Sequence, residues 1–169
     1  MADRELMQAA RALLDLCRQR KLTLAAAESC TGGLLAATLT EIPGSSDVFD
    51  RGFVTYSNAS KEQMLGVAGT ILRNDGAVSQ TAAEAMARGA LSHARVDLAV
   101  SITGIAGPSG GTRDKPVGLV HIAAASRNGA LVHQQHHFGD IGRENVRRVS
   151  VLRALGMLRA LAEQEHARR

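Results

Sequence analysis

The sequence predicts an α/β fold, with a mostly parallel sheet that carries one antiparallel hairpin. Short apolar runs, typical of fully buried strands, alternate along the chain with segments of helical periodicity. Such alternation is characteristic of a sheet covered by helices. The hairpin is indicated by two β-rich segments, 119–126 and 131–138, which are separated by Arg127-Asn128-Gly129. Asn-Gly is a strong hairpin signal because both residues accept the positive φ angles of a type I′ turn.

The first half of the chain is predicted to contain three helices and two strands. Asp3 caps a first helix, whose apolar residues recur at helical spacing. The apolar run 22–27 predicts a buried strand, and 34–42 predicts a helix that a Pro-Gly pair ends. A second strand follows at 52–56, and a short helix at 59–65 ends at a glycine.

The second half begins with a longer helix, which Ser79 caps. The apolar segment 97–103 predicts another buried strand. A glycine-rich loop occupies 104–118, directly before the hairpin, and a long amphipathic helix is predicted at 143–165. No repeat, linker or low-complexity segment interrupts this pattern, so all 169 residues are expected to form a single domain.

The composition argues against several classes of protein. Apolar residues make up 45% of the chain, which is enough for a packed core and too many for a disordered segment. The formal net charge is +4, but aromatic residues are only 2% and the charges are dispersed, so a nucleic-acid interface is not expected. No apolar run approaches the ~18 residues of a membrane span. Residues 1–15 are charged and amphipathic rather than typical of a signal peptide, so a cytoplasmic protein is expected.

The segment 27–33, Ala-Glu-Ser-Cys-Thr-Gly-Gly, lies between a predicted strand and a predicted helix. A serine at such a turn can attack a carbonyl carbon while free backbone N–H groups stabilise the oxyanion. Ser29 is therefore a candidate nucleophile, although the segment does not match the G-x-S-x-G elbow of hydrolases. The structural alternative is a helix cap followed by two glycines that allow close packing. The neighbouring thiol, Cys30, is a second candidate nucleophile.

A serine nucleophile requires a base, and Lys61 is the candidate. It follows Tyr56 closely and is predicted to lie in the next helix. A lysine base must lose its proton near neutral pH, which requires a pKa about three units below its usual ~10.4, and burial can supply such a shift. A surface lysine on a helix is the structural alternative. The histidines are poorer candidates, because none lies near a predicted site loop.

No metal or other cofactor is expected. His133 and His137 would share one face of a predicted strand, but no carboxylate or cysteine joins them at the spacing of a metal site. Cys17 and Cys30, the two cysteines of the chain, provide neither a zinc site nor a disulfide framework.

The glycine-rich loop and the start of the last helix both favour an anionic ligand. The segment 103–111, Thr-Gly-Ile-Ala-Gly-Pro-Ser-Gly-Gly, follows a buried strand, and glycines let backbone N–H groups approach a phosphate closely. It matches neither a Walker loop nor a dinucleotide fingerprint, so a plain structural loop is the alternative. Arg143 and Arg147 lie one turn apart at the positive end of a helix, which suggests an anionic partner. A salt bridge to Asp140 or Glu144 is the other explanation.

Together these motifs resemble the C-terminal domain of the CinA family of competence/damage-inducible proteins. The resemblance extends over nearly the whole chain and rests on 27–33, on Thr-Gly-Ile-Ala-Gly-Pro at 103–108, and on Tyr56-Ser57-Asn58 followed by Lys61. It implies a three-layer α/β/α sandwich with a mixed sheet. Stand-alone versions of this domain are nicotinamide-mononucleotide deamidases. The resemblance therefore implies a metal-independent amidohydrolase that forms nicotinate mononucleotide and ammonia.

The resemblance also implies roles for single residues. Ser29 would be the nucleophile, Lys61 its base, and Tyr56 would assist proton transfer, while Thr103 and Arg143 would shape the catalytic site. The residues expected to contact the nucleotide belong to the same loops: Glu28, Cys30, Thr31, Gly32, Gly104, Gly107, Gly110 and Arg143. A homo-oligomer, with a dimer as the expected form, follows from the resemblance and from the many Ala and Leu residues of the first and last helices.

Two departures from the family pattern bear on these roles. The Gly-Asp-Arg motif that is frequent in the family is interrupted here, because Ile141 and Gly142 separate Asp140 from Arg143. Long family members also carry an N-terminal pyrophosphatase-type domain, of which the sequence shows no sign, so that activity is not expected. Besides a serine amidase, two alternatives are open at this point: a non-catalytic nucleotide-binding or regulatory module, and an amidase that uses the neighbouring thiol.

Overall fold

Residues 3–165 are described by the structure, a computed structural model. Six α-helices and five strands follow one another along this part of the chain: α1 (Arg4–Arg20), β1 (Leu24–Glu28), α2 (Leu34–Thr40), β2 (Phe49–Val54), α3 (Asn58–Leu65), α4 (Gly69–Asn74), α5 (Gln80–Ala94), β3 (Leu98–Gly104), β4 (Leu119–Ser126), β5 (Leu131–His137) and α6 (Arg143–Gln164). A short 3₁₀ turn, Ser45–Asp47, lies between α2 and β2.

The five strands form one sheet in the order β2-β1-β3-β4-β5. β1 pairs in parallel with both β2 and β3, whereas β4 is antiparallel to β3 and β5 is antiparallel to β4. β4 therefore runs against the other strands of this sheet. The predicted mixed sheet and the predicted hairpin around Arg127-Asn128-Gly129 are both confirmed.

Helices cover both faces of the sheet. α1, α2 and α6 pack on one face, where Leu24, Val100 and Ile122 belong to the larger apolar core. α3, α4 and α5 pack on the other face, against Ala27 and Ala99. Strand residues alternate between the two cores, as the two-residue period of a strand requires. This arrangement confirms the predicted three-layer α/β/α sandwich.

The starts of two helices agree with their predicted caps. The Asp3 carboxylate accepts the amide N–H groups of Glu5 and Leu6 at 3.0 and 3.1 Å, and the Ser79 hydroxyl accepts that of Ala82 at 3.2 Å. A side-chain acceptor at this position satisfies amides that have no partner inside the helix, and its removal typically costs ~1 kcal/mol of stability.

Two elements differ from the sequence prediction. β2 starts and ends earlier than the predicted 52–56, because it is an edge strand whose mostly exposed side chains give a weak apolar signal. α4 is absent from the prediction, since Leu72 is its one buried residue and the segment therefore shows no apolar face.

The apolar residues of α1 and α6 are largely accounted for within the chain. Leu13, Leu14, Leu155 and Leu158 lie in one core with the sheet and are at most 1% exposed. Their number therefore no longer argues for an oligomer, which stays a prediction from the family resemblance. Within residues 3–165, no helix is long and apolar enough to cross a membrane.

Gly89→Ala tests the packing of α5 against α3. A Cβ added at Gly89 would come within 2.1 Å of the backbone oxygen of Leu65. The substitution should lower the free energy of unfolding by about 1–3 kcal/mol, the cost of overpacking. Urea denaturation measures this change.

Gly156→Ala in α6 is the matched control, because an added Cβ there meets no atom of the described chain within 4 Å outside its own helix. It should raise the free energy of unfolding by up to ~1 kcal/mol, since alanine favours the helix over glycine. Equal effects of the two substitutions would contradict the close approach of α5 to α3.

Candidate active site

The candidate site lies at the carboxyl ends of β1 and β3, two adjacent parallel strands. The chain leaves β1 towards β2 on one side and later returns to β3 on the other. Such a reversal opens a crevice between neighbouring strands, where ligands of α/β folds bind. Ser29 follows β1 directly, and its amide N–H donates to the carbonyl of Ile102 at 2.9 Å. This bond anchors the 29–33 turn at the edge of the crevice.

Lys61 reaches the serine from α3. A capping box formed by Ser57 and Ser60 fixes the start of this helix. The Nζ of Lys61 lies 3.1 Å from Oγ of Ser29 and donates to the carbonyl oxygen of Thr55 at 2.8 Å. Lys61 is 1% exposed, and within residues 3–165 it forms no ion pair with a carboxylate. The predicted nucleophile and the predicted base are therefore in contact.

Burial lowers the pKa of Lys61 below its usual value, and only the thiolate form of Cys30 would oppose this shift. A buried ammonium loses hydration that two neutral oxygen partners replace incompletely. The neutral amine carries a lone pair, so the hydrogen bond can reverse and the Ser29 hydroxyl can donate to Nζ. This geometry suits a serine nucleophile with a lysine base.

Arg143, the first residue of α6, joins three parts of the site. Its two terminal nitrogens donate to the Tyr56 hydroxyl and to the carbonyl of Gly107, both at 2.9 Å. Both partners are neutral, so the guanidinium charge stays available to an anion. The insertion of Ile141 and Gly142 before the arginine therefore does not remove it from the site.

A cavity of about 240 Å³ lies between these elements. Its walls come from the 29–33 turn, the end of β2, the glycine-rich loop and α6: Ser29, Cys30, Tyr56, Gly104, Ile105, Ala106, Gly107, Ser109, Gly110 and Arg143. Ile105, Ala106 and Ser109 are additions to the predicted site, and their position inside the glycine-rich motif is the signal that could have indicated them. A larger cavity of about 350 Å³ lies between α1 and α2, and the described residues that line it include no nucleophile paired with a base.

Several backbone amides at this site lack a backbone partner. Within residues 3–165, the N–H groups of Cys30, Thr31, Gly107 and Gly110 donate to no backbone carbonyl. The φ angles of Gly107 and Gly110 are 78° and 91°, a left-handed conformation that glycine adopts without a Cβ clash. Amides of this kind can stabilise an oxyanion or a phosphate.

The side-chain oxygens of two predicted site residues form hydrogen bonds to backbone groups. The Glu28 carboxylate accepts the amides of Leu35 and Ala36 at 2.9 and 3.0 Å, so it stabilises the start of α2. The Thr103 hydroxyl donates to the carbonyl of Ala77 at 2.7 Å and ties β3 to the segment before α5. Neither residue lines the cavity.

Cys30 lines the cavity, but its thiol is poorly suited to nucleophilic attack. Burial raises the pKa of Cys30 to about 12, although its own backbone amide and the nearby charges of Arg147 and Arg143 act to lower it. The thiolate is the reactive form of cysteine, and at neutral pH it is a minute fraction here. Thr31 and Gly32 complete the turn and do not line the cavity. The geometry therefore favours the serine over the thiol.

The histidines among residues 3–165 do not line this cavity. The Nδ1 of His121 and the Nε2 of His133 are 2.9 Å apart, and burial is the main cause that lowers the pKa of His121 to about 4. His137 is hydrogen-bonded to Gln135 at 2.8 Å. Within residues 3–165, no three metal-ligating side chains come together. His166 lies outside the described residues.

Comparison with known proteins identifies relatives of the chain. Residues 6–162 match the family model of the CinA C-terminal domain. The nicotinamide-nucleotide amidohydrolase PncC of Escherichia coli is 48% identical over 159 residues, which are 94% of this chain and 95% of that protein. A CinA-like protein of Geobacter sulfurreducens is 50% identical over 88% of this chain, which spans only 35% of that longer protein. The chain thus spans about a third of the long CinA-like relatives and nearly all of PncC.

Solved structures share the fold. The competence/damage inducible protein CihA from Agrobacterium tumefaciens superposes with a TM-score of 0.94 at 50% identity, over 95% of this chain and 98% of that chain. A CinA superfamily protein from Klebsiella pneumoniae superposes with a TM-score of 0.89 at 32% identity, over 95% and 99% of the two chains.

Lys61→Met should stabilise the protein at neutral pH, because the lowered pKa of Lys61 means that the unfolded chain binds this proton more tightly than the folded one. The free-energy cost of burying the Lys61 ammonium is fully present below the folded-state pKa. It disappears as the pH rises towards ~10.4, the unfolded-state value. The stabilisation by methionine should therefore be larger at pH 7 than at pH 10. Urea denaturation at both pH values measures it. A methionine variant less stable than the parent at pH 7 would contradict an unfavourable buried ammonium.

Proposed function

This chain belongs to the CinA C-terminal domain family, and we propose that it is an amidohydrolase that converts nicotinamide mononucleotide to nicotinate mononucleotide and ammonia. The observation that carries the proposal is the contact of Lys61 Nζ with Ser29 Oγ, at 3.1 Å, beside a cavity lined by backbone amides and an arginine. The E. coli relative that matches this chain over nearly its full length bears the name of this activity. We further propose that the chain acts as one domain.

In the proposed first half-reaction, the neutral Lys61 amine accepts the proton of Ser29 while Oγ attacks the carboxamide carbon. The amide of Cys30, which lines the cavity, donates to the oxygen that becomes negatively charged. The Lys61 ammonium then gives its proton to the amide nitrogen, the C–N bond breaks, and ammonia leaves. An acyl ester on the serine oxygen remains.

In the second half-reaction, water hydrolyses this ester. Neutral Lys61 accepts a proton from the water as its oxygen attacks the acyl carbon. The bond between the acyl carbon and Ser29 Oγ breaks, and Lys61 returns the proton to that oxygen. The product leaves as the carboxylic acid and loses its proton to solvent, which gives the carboxylate of nicotinate mononucleotide. Lys61 is the base and then the acid in both half-reactions, so the proposal includes no metal or other cofactor.

The nucleotide phosphate is assigned to the side of the cavity formed by Arg143 and the glycine-rich loop. The guanidinium of Arg143 forms no ion pair within residues 3–165, and the amides of Gly107 and Gly110 have no backbone acceptor there. A phosphate dianion would satisfy both kinds of donor. Tyr56, whose hydroxyl accepts from Arg143 on this side of the cavity, would assist proton transfer.

Three substitutions test the nucleophile and its base by ammonia release. Ser29→Ala should abolish turnover, and Lys61→Arg should lower kcat at least ~10²-fold, because arginine stays protonated and cannot act as a base. Cys30→Ser is the matched control and should keep substantial activity. If the serine variant stays active while the cysteine variant loses activity, the thiol is the nucleophile and the Ser–Lys mechanism is wrong.

Selectivity tests the phosphate assignment. The kcat/KM for nicotinamide mononucleotide should exceed that for free nicotinamide and for nicotinamide riboside, because neither of these carries the phosphate that Arg143 would bind. Arg143→Met should reduce this preference. Equal kcat/KM values for the mononucleotide and free nicotinamide would contradict the assignment.

A further inference from the structure

Arg147 lies one turn after Arg143 in α6 but contacts a different part of the site. Its Nη2 donates to the carbonyl oxygen of Thr31 at 2.9 Å, and the same oxygen accepts the amide of Leu34 at 3.0 Å. Arg147 is not among the residues that line the cavity. The sequence analysis predicted that both arginines bind an anion. In the structure, Arg147 is instead hydrogen-bonded to the backbone of the 29–33 turn.

The Thr31 carbonyl is one end of a short chain of hydrogen-bonded peptide groups. The peptide between Thr31 and Gly32 has its N–H on Gly32, and this N–H donates to the carbonyl of Ser29 at 3.0 Å. That carbonyl belongs to the peptide between Ser29 and Cys30, whose N–H is the amide of Cys30. Two peptide units therefore link the guanidinium of Arg147 to the amide of Cys30.

The dipoles of these two peptide units point the same way along the series of hydrogen bonds. Each carbonyl oxygen, the negative end, is on the side of Arg147, and each N–H, the positive end, is on the side of Cys30. Hydrogen bonds in series polarise one another, so a positive charge at the carbonyl end strengthens the donor at the other end. The same contacts restrain the rotation of both peptide planes.

The charge of Arg147 is not neutralised locally. Among residues 3–165 it forms no ion pair, and its Nε is buried without a hydrogen-bond partner. A buried donor without a partner is unfavourable, so stability alone does not explain an arginine here. The positive charge of Arg147 also acts on the 29–33 turn. Burial raises the pKa of Cys30, and the charge of Arg147 opposes this increase more than the charge of Arg143 does.

We propose that Arg147 is a positioning residue, which orients and polarises the Cys30 amide through two peptide units so that this amide stabilises the oxyanion without Arg147 touching the substrate. The inference rests on the proposed function, because the oxyanion arises only when Ser29 attacks a carboxamide. It extends that function by giving the two arginines of α6 different roles. Arg143 binds the phosphate, whereas Arg147 stabilises the transition state through the Cys30 amide.

Ammonia release from nicotinamide mononucleotide tests this role with Arg147→Met, Arg147→Lys and the control Arg153→Met, which removes an exposed arginine of the same helix. Loss of an oxyanion donor costs ~10²–10³ in kcat, so Arg147→Met should lower kcat by about 10- to 100-fold with KM within about threefold. Arg147→Lys should recover part of the rate, since an ammonium can donate to the same carbonyl. The control should match the parent enzyme.

A binding measurement separates this role from phosphate recognition. In the inert Ser29→Ala background, adding Arg147→Met should leave the Kd for nicotinamide mononucleotide within about threefold. If the methionine variant does not fold, Arg147→Gln replaces it under the same criteria. An unchanged kcat in a folded variant, or a raised KM and weaker Kd at constant kcat, would overturn the inference. If the parent enzyme releases no ammonia from the mononucleotide, the proposed function fails instead.

Discussion

The amine of Lys61 is buried against two neutral oxygens, the Ser29 hydroxyl and the Thr55 carbonyl, and no carboxylate among residues 3–165 lies within ion-pair distance of it. In the ammonium form this is an unfavourable environment, because lost hydration is not replaced by an opposite charge. The same environment makes the neutral amine available at a lower pH than in a free lysine. Burial of Lys61 therefore lowers the stability of the protein while it increases the fraction of unprotonated amine, as is common where a site requires a destabilised group.

The surrounding structure maintains this environment. A carboxylate beside Lys61 would raise its pKa. The Glu28 carboxylate, at the end of β1, is stabilised by two amides of α2 instead. The hydrogen bonds of Arg143 and Arg147 are to neutral acceptors. The site therefore combines a lysine of lowered pKa with two arginines whose hydrogen-bond acceptors are neutral, an arrangement suited to an anionic substrate and to an oxyanion.

Prediction from the sequence succeeded where the signal is local. The cap at Asp3, the hairpin around Asn128-Gly129 and the short helix that ends at Gly66 each depend on the conformational preferences of a few neighbouring residues. It failed where burial is slight: β2 pairs on one side only and α4 buries Leu72 alone, so neither shows a clear apolar period.

The candidate site divides in the same way. Motif spacing was sufficient to place Ser29 at a strand-to-helix turn, Lys61 on the next helix and the glycine-rich loop after a buried strand, since each position is defined by its own neighbours. Which polar atoms meet was decided by the tertiary structure, because that depends on the crossing of elements that are distant in sequence. Ser29 and Lys61 are 32 positions apart, and Arg147 reaches Thr31 over 116. A local pattern specifies the face on which a side chain lies, whereas the packing of α3 and α6 on the sheet specifies what it touches.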